Sequence, residues 1–232
     1  PEEFTTRVIR HLVTSPDEKT VVFNAVGYLW KKSLPNGKPT RLTKGTDFEF
    51  EPNFSPDGAS IIYVTWNDIE LGALNKISIA GGKPTKLTSE KGIYRTPSYS
   101  ADGSKILYIK ESGNDDQGFT FTKSPGIYYM NASGSKSTFV GDFGEFPIFN
   151  QKGDRIIFQT GGSYFGALTK ELKSVDLNGK DEQTHIKSKY ANRLVPSPDN
   201  KWVAFSLLHK VYLAPIPPTG QTLDIDNNTS AV

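Results

Sequence analysis

The sequence predicts an all-β chain built of four-stranded antiparallel propeller blades, and three observations carry that prediction. A turn of the form Ser-Pro-Asp-Gly recurs in one exact and four imperfect copies along the 232 residues. The first residues of the copies stand 40, 45, 50 and 47 positions apart, the length of chain that one blade of short strands consumes. Behind each tip runs a stretch rich in β-branched and aromatic residues, such as Ala59 to Trp66, of the kind that packs on a pleated, half-buried surface.

Each tip has a physical reason. Proline at the second position presets φ, Asp bonds back onto its own backbone, and Gly accepts the exit geometry. The copies are Ser15-Pro16-Asp17, Ser55-Pro56-Asp57-Gly58, Ser100-Ala101-Asp102-Gly103, the degenerate Asn150-Gln151-Lys152-Gly153, and Ser197-Pro198-Asp199-Asn200. Taken in order, they frame blades at about 7–43, 50–88, 95–140, 145–186 and 193–226 of a single domain, 1–232. In the first blade Thr20 to Asn24, Tyr28 to Ser33 and Thr40 to Thr43 follow the tip as strands, with Leu34-Pro35-Asn36-Gly37 as the outer hairpin. The second blade repeats this, and its closing Lys83-Pro84-Thr85-Lys86-Leu87-Thr88 nearly copies Lys38-Pro39-Thr40-Arg41-Leu42-Thr43. The third carries an insertion from Glu111 to Pro125 between its second and third strands, and the fourth another around Gly161 to Thr169. Glu171 to Val175 is long enough for a helical turn, but the flanking glycines and the Asp176-Leu177-Asn178-Gly179 turn favour a strand. The fifth blade, with strands at Lys201 to Leu207 and Lys210 to Pro215, decays into a Pro- and Gly-containing polar tail. Alternating Ile61, Tyr63, Ile106, Tyr108, Ile156, Phe158, Trp202 and Ala204 are expected to pack sheet on sheet.

Composition narrows the function. Net charge is +2, from 27 basic and 25 acidic residues with the two signs interspersed, which argues against nucleic acid as a partner. The absence of cysteine excludes disulfides and thiolate metal sites and fits an oxidising compartment. No apolar run approaches a membrane span, so membrane insertion is not expected. The chain starts at Pro1 without an apolar leader, which fits a removed signal peptide or a piece of a longer protein.

The repeat has Pro three residues before the tip (Pro52, Pro97, Pro147), an aromatic just before it (Phe54, Tyr99, Phe149) and a closing Leu-Thr (Leu42-Thr43, Leu87-Thr88). In these it resembles the TolB-type propeller repeat over nearly all of residues 8–216. More narrowly, Gly27-Tyr28-Leu29-Trp30, Tyr63-Val64-Thr65-Trp66-Asn67-Asp68 and Val195-Pro196-Ser197-Pro198-Asp199 resemble the propeller region that precedes the metal-dependent barrel of large secreted bacterial amidohydrolases. The resemblance implies a periplasmic or secreted location and six or more blades in a complete ring. Five blades can close a ring, but no overlap strand locks the ends together, so the chain is expected to be part of a larger propeller whose exposed edges further blades or dimerisation would cover.

Chemistry-bearing motifs are missing. An amidohydrolase metal site needs paired histidines and further ligands, whereas His11, His185 and His209 lie on three different blades without ligand spacing. Gly161-Gly162-Ser163-Tyr164-Phe165-Gly166 does not have the spacing of a nucleophile elbow, and Gly37-Lys38-Pro39 and Gly82-Lys83-Pro84 are not phosphate loops. No catalytic residue, metal ligand or cofactor is assigned. Two sets of residues are candidates for binding. On the face carrying the second-to-third-strand loops and the blade-to-blade loops stand Phe48, Trp66, Asp68, Tyr94, Phe119, Phe121, Tyr164 and Phe165, a composition suited to recognition or, alternatively, to filling gaps between blades. At the starts of the innermost strands stand Arg10, His11, Glu51, Arg95, Glu145 and Arg193, a mixed-charge rim that either binds a peptide-like group or ties blades together. The expected function is a non-catalytic module for protein interaction or substrate gating in a larger exported protein, with a protein partner or a fused hydrolase domain. The alternatives are the propeller part of a metal-dependent amidohydrolase whose barrel lies elsewhere, and a carbohydrate- or peptide-binding receptor.

Overall fold

A computed structural model describes residues 6–114, 119–120, 122–134, 136–162, 168–189, 191–207, 210–217 and 220–225. Among these every regular element is a strand, and the sheets are blades of a β-propeller. The chain forms two compact units, Pro1–Phe139 and Val140–Val232, with the boundary inside one strand of the third blade.

In the first unit, blade one is β1 (Arg10–Thr14), β2 (Thr20–Ala25), β3 (Tyr28–Ser33) and β4 (Thr40–Arg41), in chain order across the sheet. Blade two is β5 (Phe48–Phe54), β6 (Ser60–Asn67), β7 (Leu71–Ser78) and β8 (Thr85–Lys86). Blade three has β9 (Ile93–Tyr99) and β10 (Lys105–Glu111), then β11 (Gly113–Asn114) and β12 (Phe119–Thr120), which pair with each other as a separate ribbon inside the predicted insertion. Its sheet is completed by β13 (Gly126–Asn131) and β14 (Thr138–Gly141).

In the second unit, blade four is β15 (Glu145–Phe149), β16 (Arg155–Gly161), β17 (Lys170–Asp176) and β18 (Gln183–Ser188). The segment weighed as a helix is thus strand β17. Blade five has β19 (Leu194–Pro196), β20 (Trp202–Leu207) and β21 (Lys210–Pro215). The next strand, β22 (Leu223–Ile225), does not join it. It lies parallel to β18 as a fifth strand of blade four, pairing Ile186 with Leu223 and Ser188 with Ile225.

The tips do the joining that their composition implies. Ser15 Oγ donates to Asp17 Oδ1 at 2.6 Å, the same carboxylate accepts Lys19 N–H at 3.1 Å, and Ser15 Oγ accepts Thr20 N–H at 2.9 Å. Ser55, Ser100 and Ser197 repeat this with Asp57, Asp102 and Asp199. In the degenerate fourth copy the Asn150 carboxamide replaces both groups. Its oxygen accepts Asp154 N–H and Arg155 N–H, each at 3.1 Å, and its nitrogen donates to the Asp154 carboxylate at 2.6 Å.

The apolar faces then stack. Val22, Leu29 and Leu42 of blade one close on Phe54, Ile61, Tyr63 and Ile77 of blade two. The opposite face of blade two, Ile62, Val64 and Leu74, closes on Ile106, Tyr108, Tyr128 and Met130 of blade three. In the second unit Ile157, Leu172 and Ile186 pack against Leu194, Val203, Phe205 and Ala214. The expectation that Trp202 and Ala204 pack sheet on sheet is therefore corrected by one residue. Val203 and Phe205 point at blade four, while Trp202 is 43% exposed, because neighbouring strand residues alternate faces. Val195, Val211 and Leu213 share that outward face and are also exposed.

Candidate functional site: a bulged inner rim beside an aromatic pocket

The innermost strands of the first four blades share a device that positions the rim. Four residues before each tip stands a non-glycine residue with positive φ: His11 at 51°, Glu51 at 49°, Thr96 at 48° and Phe146 at 51°. Each falls where the pairing register shifts. A bulge of this kind adds one unpaired residue and re-aims its side chain. Pro52, Pro97 and Pro147 follow at once, where the broken ladder calls for no N–H. The same frame position in blade five is Arg193, so the six predicted rim residues all lie at the bulge position or directly before it.

Within the first unit the bulges bring four rim and near-rim groups into one chain across three blades. Glu51 N–H donates to His11 Nδ1 at 3.3 Å. Arg95 Nε donates to Glu51 Oε1 at 2.7 Å, and Thr96 N–H donates to the second oxygen of that carboxylate at 2.5 Å. Arg95 Nη1 also meets Glu111 at 3.3 Å. Partial burial works against the Arg95 charge, but the Glu51 and Glu111 carboxylates outweigh it and raise its pKa. The His11 ring lies edge-on to Phe50 at 6.5 Å. Its pKa is lowered, first by desolvation, then by the nearby Arg95 and Arg10 against the pull of Glu51.

Beside this chain opens a pocket of about 240 Å³, lined among others by His11, Phe50, Glu51, Trp66, Tyr94 and Arg95. The structure thus brings together members of both predicted sets, Trp66 and Tyr94, which lie on β6 and β9 rather than on loops, and His11, Glu51 and Arg95 from the rim. Trp66 is held by its indole N–H, which donates to Asp68 at 3.0 Å. Phe48, opposite Trp66 across the β5–β6 ladder, is 52% exposed. Tyr94 is buried, its hydroxyl donating to Glu90 O at 2.8 Å, so its ring serves as a wall. Arg10 is exposed on β1 opposite Asn24.

In the second unit Glu145 is exposed on β15, and the Arg193 guanidinium lies 4.5 Å over the Phe146 ring. Phe121, Tyr164, Phe165 and the side chain of Phe119 lie outside the described residues, as does His209. His185 bonds Ser174 Oγ at 2.7 Å. Among the described residues no group of three or more His, Asp or Glu is placed to hold a metal, and no helix is long and apolar enough to cross a membrane.

Phe50, Thr96 and Glu111 were not predicted. The signal for Phe50 and Thr96 was available, since both sit at or beside the frame position four before the tip. Glu111 closes β10 at the start of the insertion, and no repeat position points to it.

No family model and no curated protein matches the chain. Solved structures do match. A putative TolB from Agrobacterium tumefaciens aligns over 90% of this chain and 77% of its own, with 21% identity and a TM-score of 0.69. TolB from Acinetobacter baumannii aligns over 90% of this chain at 16% identity and a TM-score of 0.66, and this chain spans about half (52%) of its length. An oligogalacturonate lyase in complex with manganese aligns over 88% and 61% of the two chains at 12% identity, with a TM-score of 0.68. The fold is that of TolB-like propellers.

Proposed function

We propose that this chain is a non-catalytic recognition module, the propeller part of a larger exported protein, which binds a protein partner or gates access to a fused enzyme domain through the pocket beside the inner rim. The observation that carries the reading is the pairing of an open aromatic wall, Trp66 and Phe50 with Phe48 exposed next to it, with a fixed mixed-charge chain, His11–Glu51–Arg95–Glu111. An apolar side chain of a partner segment fits the wall, and its backbone or end groups meet charges whose orientation is already fixed, so little ordering cost remains on binding. Since Glu51 is already bonded to Arg95 and Thr96, it serves as a counter-ion that aims the guanidinium.

The test is selection of peptides from a displayed library on the intact chain, followed by affinity measurement on Phe48→Ala and Arg95→Gln variants. Selected peptides should lose at least tenfold in affinity with either change while melting temperature stays within a few degrees. Peptides that bind both variants as well as the parent chain, or chelator-sensitive hydrolysis by the chain alone, would remove the reading. Neutral and acidic oligosaccharides form a parallel arm, and preferential binding of those would point to a carbohydrate receptor.

A further inference from the structure

On the flank between blades two and three, within the first unit, lies a second cleft of about 350 Å³, a size suited to a small organic molecule. Its wall is a run of rings. Tyr108 and Tyr128 stack at 5.8 Å, and Tyr94 tilts onto Tyr108 at 5.7 Å. Their hydroxyls are committed, to Ser137 Oγ, Ser124 O and Glu90 O respectively. The tyrosines therefore offer ring surface to the cleft.

The charge in the cleft is unusually arranged. Lys110, at the end of β10, is only 5% exposed, and its ammonium lies 4.9 Å over the Tyr128 ring. A buried ammonium needs a partner, and the partner is Glu90, at 2.8 Å, whose side chain is 73% exposed on the segment joining the two blades. The fixed, desolvated member of the pair is thus the cation, and the solvated, movable member is the carboxylate. Lys123 and Lys136 also line the cleft, and Glu90 is the acidic residue named in the same lining. Lys110 first, and Lys123 at longer range, hold the Glu90 carboxyl below its ordinary pKa.

We infer that this cleft is a binding site for a small organic oxyanion, a carboxylate or phosphate on an apolar or ring-shaped body, which takes the place of Glu90 on Lys110 and lays its body on the tyrosine wall. Displacing Glu90 costs little, because its side chain returns to water, while Lys110 keeps an anionic partner throughout. Lys123 supplies the additional positive field that makes an incoming anion preferable to the resident one. The two pockets share the Tyr94 ring as a wall and no other lining residue, and Lys110, Glu90 and Lys123 belong to this cleft alone.

Titration calorimetry on the full chain at low ionic strength tests this with benzoate, phenyl phosphate, inorganic phosphate and benzyl alcohol. Benzoate or phenyl phosphate should bind, and the tighter of the two identifies the oxyacid. Inorganic phosphate should bind more weakly than phenyl phosphate, and benzyl alcohol should give no signal. Glu90→Gln should tighten anion binding by about two- to fivefold, since it removes a competitor held by an exposed ion pair. Lys110→Met should weaken binding roughly tenfold or more. Lys123→Gln should weaken it about two- to fivefold and reduce its salt dependence. If Lys110→Met fails to melt cooperatively, Glu90→Gln and Lys123→Gln decide the matter. Absence of binding by both ring-bearing anions, benzyl alcohol binding as well as benzoate, or a Glu90→Gln variant that binds no tighter than the parent would overturn the inference.

Discussion

Glu49 joins blades one and two from inside the protein, and removing its carboxylate should separate two effects that burial usually combines. It is 2% exposed, and one carboxylate oxygen accepts both Leu29 N–H and Thr43 Oγ–H at 2.7 Å. Desolvation nevertheless dominates and pushes its pKa up, against those two hydrogen bonds and the charge of Arg41. Glu49→Ala strands two donors on residues that remain buried, Leu29 and Thr43, at about 1–2 kcal/mol each, or ~2–4 kcal/mol in all. Glu49→Gln keeps an acceptor for both and turns its new amide toward the polar cavity lined by Thr65 and Asn75, so it should cost less than about 1 kcal/mol at pH 7. Because the folded-state pKa is raised, the folded protein holds this proton more tightly than the unfolded chain. The wild type must then gain stability relative to Glu49→Gln as pH falls from 7 toward the ordinary carboxylate value, and lose that gain as pH rises again. Urea titration followed by tryptophan fluorescence in a Trp202→Phe background reads the first unit through Trp30 and Trp66. Equal losses for Ala and Gln, or a wild-type-to-Gln difference that does not change with pH, would refute the account.

Other expectations follow from the tips and from the second unit. Gly58, Gly103 and Gly153 take φ near +70° at the fourth tip position, where Glu18 is forced to 58° and Asn200 to 56°. Glu18→Gly should therefore stabilise by about 0.5 kcal/mol in urea titration, the balance of side-chain strain against glycine entropy, while Asn200→Gly should change little, since Asn tolerates this region. The tip carboxyls of Asp17, Asp57, Asp102 and Asp199 are held below their ordinary pKa, first by the serine hydroxyl of the same tip. Their contribution is complete above the ordinary carboxylate value and is lost as pH falls below it, so Asp57→Asn and Asp102→Asn should flatten the acid limb of a melting-temperature profile. The His185 pKa is lowered, chiefly by burial and further by Arg155. Stability from the neutral ring is present above the ordinary histidine value and is lost below it, and His185→Gln should reduce the fall in melting temperature between pH 7 and 5.

Legibility in the sequence followed the range of the forces involved. The Ser-Pro-Asp-Gly tips and the strands behind them could be read because their causes are local, proline φ, Asx bonding and β-branched packing, and even Asn150 announced a tip by its place in the repeat. Which face a strand turns inward was less secure. The frame that puts Ile61 and Tyr63 toward the preceding blade puts Val203 and Phe205 there too, and choosing Trp202 and Ala204 slipped the register by one. The inner bulges were half visible, since the repeated prolines mark them but nothing in composition says that the residue before each adopts positive φ. The meeting of Trp66 with His11, Glu51 and Arg95 depends on how three blades stack, and the lysine-lined cleft on contacts such as Lys110 with Glu90 and Tyr108 with Tyr128, each 20 residues apart. No local pattern encodes either.

The parallel attachment of β22 to β18 has a mechanical consequence. Tension applied at Ile225, with the chain anchored where β18 begins, loads the two strands in opposite directions along their length, so their hydrogen bonds resist together in shear rather than parting one after another. Among the described residues three pairs share that load. Blade five therefore lies within a chain loop fastened by a shear clasp, through which a pulling force on that segment is carried into blade four.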